Sequence, residues 1–146
     1  GSADPPSGSL GSLAYTHEVP EGTRYDLVID SGASTSAANT ESGMCQGPTS
    51  PVTDSKTYRD ASGREVPRFG RVTPTFRTQT GGTIGVTFER MKVAKPLVSV
   101  GELVKKGHKV WMTGGDSYIE TATGEHIPIY LRDGVFVLPT WHTGGF

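Results

Sequence analysis

The sequence predicts an all-β domain carrying one short helix, and three observations lead there. Twenty glycines and ten prolines among 146 residues supply many turns, and the frequent Thr and Val favour strands over helices. Runs with a period of two recur between Gly-Gly, Thr-Gly and Asp-Gly pairs, the residues that close hairpins. Helical spacing with a start and a stop signal occurs once, at 99–107.

Residues 1–14, "GSADPPSGSLGSLA", offer almost nothing apolar to bury and read as a flexible leader or tag remnant, Gly1-Ser2 as a cloning remnant. The domain is placed at 15–139 and a C-terminal tail at 140–146. "LAYTHEV" (13–19) alternates weakly and reads as a strand; "RYDLVID" (24–30) ends in a continuous apolar run and reads as a buried one. A polar connection, 36–54, contains the single cysteine, Cys45. Next, Ala61-Ser62-Gly63 marks the turn of a hairpin with a polar tip. A Gly-Gly turn follows, and then the alternation Ile84, Val86, Phe88, a half-buried strand. In the helix, Ser99 is placed as N-cap with Glu102 at the capping-box position, Leu103 and Val104 facing inward and Gly107 as the stop. The remainder, 108–139, reads as a four-stranded meander with turns at "GGD", "TG" and Asp133-Gly134.

Composition excludes several function classes. The formal net charge is −1 with both signs interspersed, unlike the clustered basic face of a nucleic-acid binder. No apolar run reaches the roughly 18 residues of a membrane span. One cysteine forms no intramolecular disulfide and no zinc pattern, so a reducing, cytoplasmic setting is expected. His108 and His126 lack metal-ligand spacing and read as surface residues. Trp111 reads as a core or interface aromatic. Cys45 has no His/Asp grouping that would make it a nucleophile.

The stretch that carries chemistry is "YDLVIDSGAST", 25–35. Leu27, Val28 and Ile29 run inward and deliver Asp30, although an unpaired buried carboxylate costs several kcal/mol or loses its charge. The plain alternative is a turn-opening Asp with its carboxylate on a nearby N–H. Gly32 permits a sharp reversal, and Ser31 places a hydroxyl beside the acid.

"LVIDSGAS" resembles the active-site signature of retropepsin-like aspartic proteases. Downstream, Leu97-Val98-Ser99 at the head of the helix resembles that family's second signature, and "DASGREVPRFGRV" resembles its flap hairpin. "PLVSVGELVKKGHKVWM" and "DGVFVLP" bring the likeness nearest to the proteases of copia-type retrotransposon polyproteins, over about 25–139. The resemblance implies a closed β-barrel protomer with a flap and one short helix, pairing as a homodimer. It implies an aspartic endopeptidase, without cofactor or metal, that processes its own polyprotein in the cytoplasm or inside a virus-like particle, and contacts neither nucleic acid nor membrane. Asp30 would be the catalytic acid, one from each chain, since two carboxylates must share a proton. Ser31, Gly32 and Ala33 would support the active-site loop. Ser34, Asp60, Ala61, Ser62, Gly63, Val98 and Ser99 would form flap and subsites. Where many viral relatives carry an acid and an arginine that brace the dimer, this chain has Ser34 and Val100, so other contacts must serve. Glu102 reads as a capping residue rather than a catalytic acid. The rival reading is a retropepsin-fold dimerisation or peptide-binding module with weak or lost catalysis; a third is a generic β-barrel domain in which the Asp-Ser-Gly motif is coincidental.

Overall fold

The computed structural model describes residues 21–146; the leader expected at 1–14 and the strand expected at 13–19 lie outside the described residues. The strands, in chain order, are β1 (Thr23–Asp30), β2 (Ala37–Asn39), β3 (Thr49–Ser50), β4 (Tyr58–Arg59), β5 (Glu65–Val66), β6 (Arg71–Val72) and β7 (Thr75–Thr78). They continue with β8 (Thr83–Gly85), β9 (Phe88–Met91) and β10 (Leu97–Ser99), then helix α1 (Val100–Lys105). The chain closes with β11 (Lys109–Trp111), β12 (Ser117–Glu120), β13 (His126–Arg132) and β14 (Val135–His142). The described protein is therefore all-β with one short α-helix, as its turn-rich composition predicts.

β1 is the central strand. Along one edge it pairs antiparallel with β14, from Thr23 opposite His142 to Ile29 opposite Phe136. Along the other it runs parallel to β10, with Asp30 beside Ser99. A strand covered on both faces needs no alternation, which is why Leu27, Val28 and Ile29 are all buried. β10 also pairs with β2, through Leu97 opposite Ala37. Thus β1 and β2, consecutive in the chain, are held apart by the strand that carries the second motif. β2 is lined by the buried Ala37 and Ala38 and runs parallel to β9. The core gathers Leu27, Ile29, Phe76, Phe88, Ile127 and Leu138, with Phe76 edge-on to Phe88 at 6.4 Å.

The meander forms as predicted, β11 to β14 pairing in sequence. Its last turn is the Asp-Gly signal at work: Asp133 and Gly134 have φ of 49° and 82°, the double left-handed geometry of a type I′ hairpin turn. The path β11-β12-β13-β14-β1-β10-β2-β9-β6-β3 is open at both ends, so among the described residues the pairing does not close into the barrel the resemblance implies.

Several expectations are corrected. The run Ile84, Val86, Phe88 is not one strand: β8 turns back on β7, and β9 leaves to pair with β2 and β6. Val104 faces water at 57 % exposure, and α1 buries none of its residues fully. Trp111 is 46 % exposed, its ring 5.9 Å from that of Tyr118 and tilted by 31°, so of the two readings, core or interface, the core one fails. Cys45 lies not in an open loop but in a 3-10 turn, Gly43–Cys45, inside the core; burial pushes its thiol pKa up against the pull of Arg90. The boundary drawn at 139 falls within β14, whose Thr140, Trp141 and His142 are buried, and Thr140 Oγ1 donates to Tyr25 O at 2.6 Å. Among the described residues no helix is long and apolar enough to cross a membrane.

Removing residues 140–146 should therefore strip β1 of its partner strand at one end. Losing the buried Trp141 side chain alone should cost roughly 3–5 kcal/mol, so the shortened chain is expected to unfold at markedly lower urea than the full chain. A midpoint unchanged by the truncation would show that the domain does end at Pro139.

Candidate active site

Asp30 closes β1, and its side chain is half-exposed rather than sealed in the core. Its Oδ1 accepts the Gly32 N–H at 2.8 Å, so the plain turn-opening role is filled as well. Gly32 does not take a positive φ, and a Cβ there would meet only Asp30 Oδ1 at 3.4 Å, an ordinary van der Waals contact, so neither the torsion expected from the sequence nor crowding within this chain demands glycine.

The loop after Asp30 is fixed from β10 and α1. The Ser99 hydroxyl donates to Ala33 O at 2.7 Å and accepts the Glu102 N–H at 3.2 Å, while the Ser99 N–H donates to Ser36 Oγ at 2.9 Å. The N-cap prediction holds, but the reciprocal capping box does not: Glu102 Oε1 accepts the Ser36 N–H at 2.7 Å. Glu102 ties the helix to the loop instead of closing its own first turn. Ser36 carried no signal in the sequence, because a serine two positions past the motif looks like any loop residue.

A groove of about 1010 Å³ runs past this loop. Its floor is apolar, with Val28, Ala37, Met91 and Leu97, and Asp30, Gly32, Ala33 and Ser34 front it. The β4–β5 hairpin lines it too, through Tyr58, Asp60, Ala61 and Val66. The structure therefore brings together Asp30, Gly32, Ala33, Ser34, Asp60 and Ala61. Ser31 is exposed and outside the groove lining, as are Ser62 and Gly63 at the hairpin tip, while Val98 and Ser99 are buried beneath. Sequence reasoning missed Tyr58, Met91 and the segment 92–95, which the fold alone places at the groove.

The hairpin turn is built by Asp60, whose Oδ1 accepts from Ser62 Oγ at 2.6 Å, Ser62 N at 2.9 Å and Arg64 N at 3.0 Å. The Ser62 hydroxyl, with the two N–H groups, holds the Asp60 carboxyl below the usual carboxylate range. Gly63 has φ of 84°, a conformation side chains resist.

The hairpin is joined to the body by charge. Arg68 packs over the Tyr58 ring at 5.1 Å, donates to Lys56 O at 2.8 Å and pairs with Asp54. It also reaches Glu89 on β9 at 2.8 Å, as Arg71 does at 2.7 Å. Glu89 is 2 % exposed. Burial pushes its pKa up, yet the bonds from Arg68 and Arg71 outweigh this and leave it below the ordinary value. The Arg68 bond likewise draws Asp54 well below the carboxylate range. Among the described residues no group of three or more His, Cys, Asp or Glu side chains could hold a metal ion. His108 Nδ1 accepts the Ala122 N–H at 3.0 Å, and His126 stacks on Tyr118 at 4.3 Å.

No protein-family model matches this chain, and no curated protein matches it.

Two measurements test the supports. Ser99→Ala removes both hydroxyl bonds and should cost about 1–2 kcal/mol, the range for a lost N-cap; wild-type stability would sink the brace. The acid cluster sets a pH dependence. Folded-state pKa values of Asp54 and Glu89 lie below those of the unfolded chain, so the unfolded chain takes up protons first. Their contribution is complete above about pH 5 and falls away as pH drops through the depressed values. Glu89→Gln should flatten that acid limb and cost roughly 3 kcal/mol at neutral pH, the low end for unpairing a buried ion, because Arg71 stays open to water. A urea series from pH 3 to 7 reads both effects.

Proposed function

We propose that this chain is one half of an aspartic endopeptidase of the retropepsin type, nearest in sequence character to the copia-type retrotransposon proteases. The observation that carries the reading is the shared groove. A carboxylate at the end of a rigid central strand and a polar-tipped hairpin line one open trough with an apolar floor. A trough of that form suits an extended polypeptide, with side chains on the floor and backbone beside Asp30. The intact Asp30-Ser31-Gly32 sequence and the loop brace from Ser99 support it.

One described chain brings one such acid to the groove, and the chemistry needs two. Two copies related by a two-fold axis would set their Asp30 side chains together. Two carboxyl groups about 3 Å apart cannot both ionise, so the pair holds a single proton. The ionised Asp30 takes a proton from a water as its oxygen attacks the scissile carbonyl carbon. The partner's protonated carboxyl donates to the carbonyl oxygen. Collapse of the tetrahedral adduct breaks the C–N bond: Asp30 passes the proton it took from water to the amine nitrogen, and the partner's carboxylate takes back a proton from an adduct hydroxyl as the acid product forms, which restores the singly protonated pair. In this reading β4–β5 is the flap, and the substrate is the polyprotein that contains the domain.

Asp30→Asn should leave a folded protein of unchanged urea midpoint and lower peptide cleavage by roughly 10²–10⁴-fold or more, the span for losing a general acid–base. The parent should lose specific activity on dilution, because an obligate dimeric site dissociates by mass action. It should also be blocked by a statine-type analogue of the tetrahedral adduct. Cleavage by Asp30→Asn at the parent rate would remove the assignment. A folded parent that binds peptides but never cuts them would leave the peptide-binding module.

A further inference from the structure

The segment between β9 and β10, "KVAK" at 92–95, contributes all four of its residues to the groove lining. It is not a loose loop. Met91 O accepts the Thr40 N–H at 3.3 Å, Val93 O accepts Asn39 Nδ2 at 3.2 Å, and Pro96 O accepts the Val28 N–H at 2.9 Å. The backbone is thus pinned to β1 and to the end of β2 on either side of the two lysines. Both lysines are exposed and pair with no carboxylate among the described residues. Across the groove, Arg59 adds a third cation, its guanidinium donating to Gly63 O at 3.0 Å. Against these stand two acids, Asp30 and Asp60. The Asp60 oxygen Oδ1 already accepts three bonds from its own turn. The lining therefore carries Arg59, Lys92 and Lys95 against Asp30 and Asp60, a net charge of +1, on a chain whose overall formal charge is −1.

We infer that the groove selects acidic peptides: extended segments with apolar side chains for the floor and Asp or Glu flanking them, read by Lys92 and Lys95. This rests on the proposed peptide-cleaving role and names the substrate chemistry of that same site. Exposed ion pairs are weak, each worth up to about fivefold in affinity, and salt screens them. The selection is consequently a matter of binding and association, expressed in KM more than in kcat. It also has a pH limit of its own. Peptide carboxylates lose their charge below about pH 4, so the preference fades there while the lysines stay charged.

Peptides sharing one apolar centre and differing only in flanking Glu, Gln or Lys provide the test. Their hydrolysis by the parent and their binding to Asp30→Asn, by fluorescence anisotropy, are compared at about pH 5.5 and at low and high salt. Glu peptides should bind and be cut about fivefold or more better than Lys peptides at low salt, with the ratio shrinking at high salt and near pH 3. The Lys92→Glu/Lys95→Glu variant, on either background, should invert the order. Cleavage or binding that ignores flanking charge, or an order the double variant fails to invert, overturns the inference and leaves the endopeptidase reading standing. Charge-selective binding by Asp30→Asn with no cleavage by the parent does the reverse. Peptides that are neither bound nor cut overturn both.

Discussion

One buried hydroxyl holds the site together. Ser99 is fully enclosed, and its Oγ has one proton to give and lone pairs to accept with. It gives the proton to Ala33 O and accepts the Glu102 N–H, while its own N–H goes to Ser36. Those three bonds join the end of β10, the first turn of α1 and the loop that follows Asp30. Glu102 adds the fourth tie, to Ser36 N. Without them the loop would lose its ties to β10 and α1, keeping the Asp30–Gly32 bond and, at its far end, the Thr35 hydroxyl and the Glu89 N–H on Ser36 O, and the carboxylate would be displayed on a less constrained turn. Preorganised geometry of this kind is what the proposed catalytic role of Asp30 requires. Ser34 and Val100 contribute no charged pair here, and the loop is secured by hydrogen bonds within the chain.

The charged network does different work in a different place. Glu89 sits at the inner end of a chain of contacts through Arg68 to Tyr58, so the hairpin is fastened to β9 at its base and left free at its tip. Buried ion pairs of this sort add less to stability than their short distances suggest, because desolvation offsets the attraction. Their value here is directional. A guanidinium fixed by two carboxylates can hold an aromatic ring against the groove wall in a single orientation. The groove thus has a wall tied by charge on one side and one tied by backbone hydrogen bonds, at 91–96, on the other.

Much of the local structure was legible in the sequence because local chemistry writes it. The Asp133-Gly134 turn, the hairpin around Gly63, the Ser99 cap and the meander all depend on residues that are neighbours in the chain. The errors share a cause as well. Val104 and Trp111 look like core residues by type, yet α1 covers too little of the sheet to bury one, and the outer strand β11 leaves the other facing water. Cys45 looks like a loop residue by its polar neighbours, yet a single 3-10 turn drives it inward beside Met44. Ile84 and Phe88 fit one period, but their backbones part company at Val86 because β8 and β9 serve different partners.

By itself the sequence determined which residues could do chemistry: an acid at the end of an apolar strand, followed by small residues, and a capped helix downstream. It also determined the all-β character, since turn residues and β-formers leave little room for helix. Only the tertiary structure decided that β10 would slot between β1 and β2 and set Asp30 beside Ser99. That placement depends on register between segments about seventy residues apart, which side-chain periodicity does not encode. The same holds for the groove. Tyr58, Met91, Lys92 and Lys95 meet Asp30 through the packing of three separate strands, β4, β9 and β1, and the segment after β9, and burial against a shared core, rather than any pattern within one segment, brings them there.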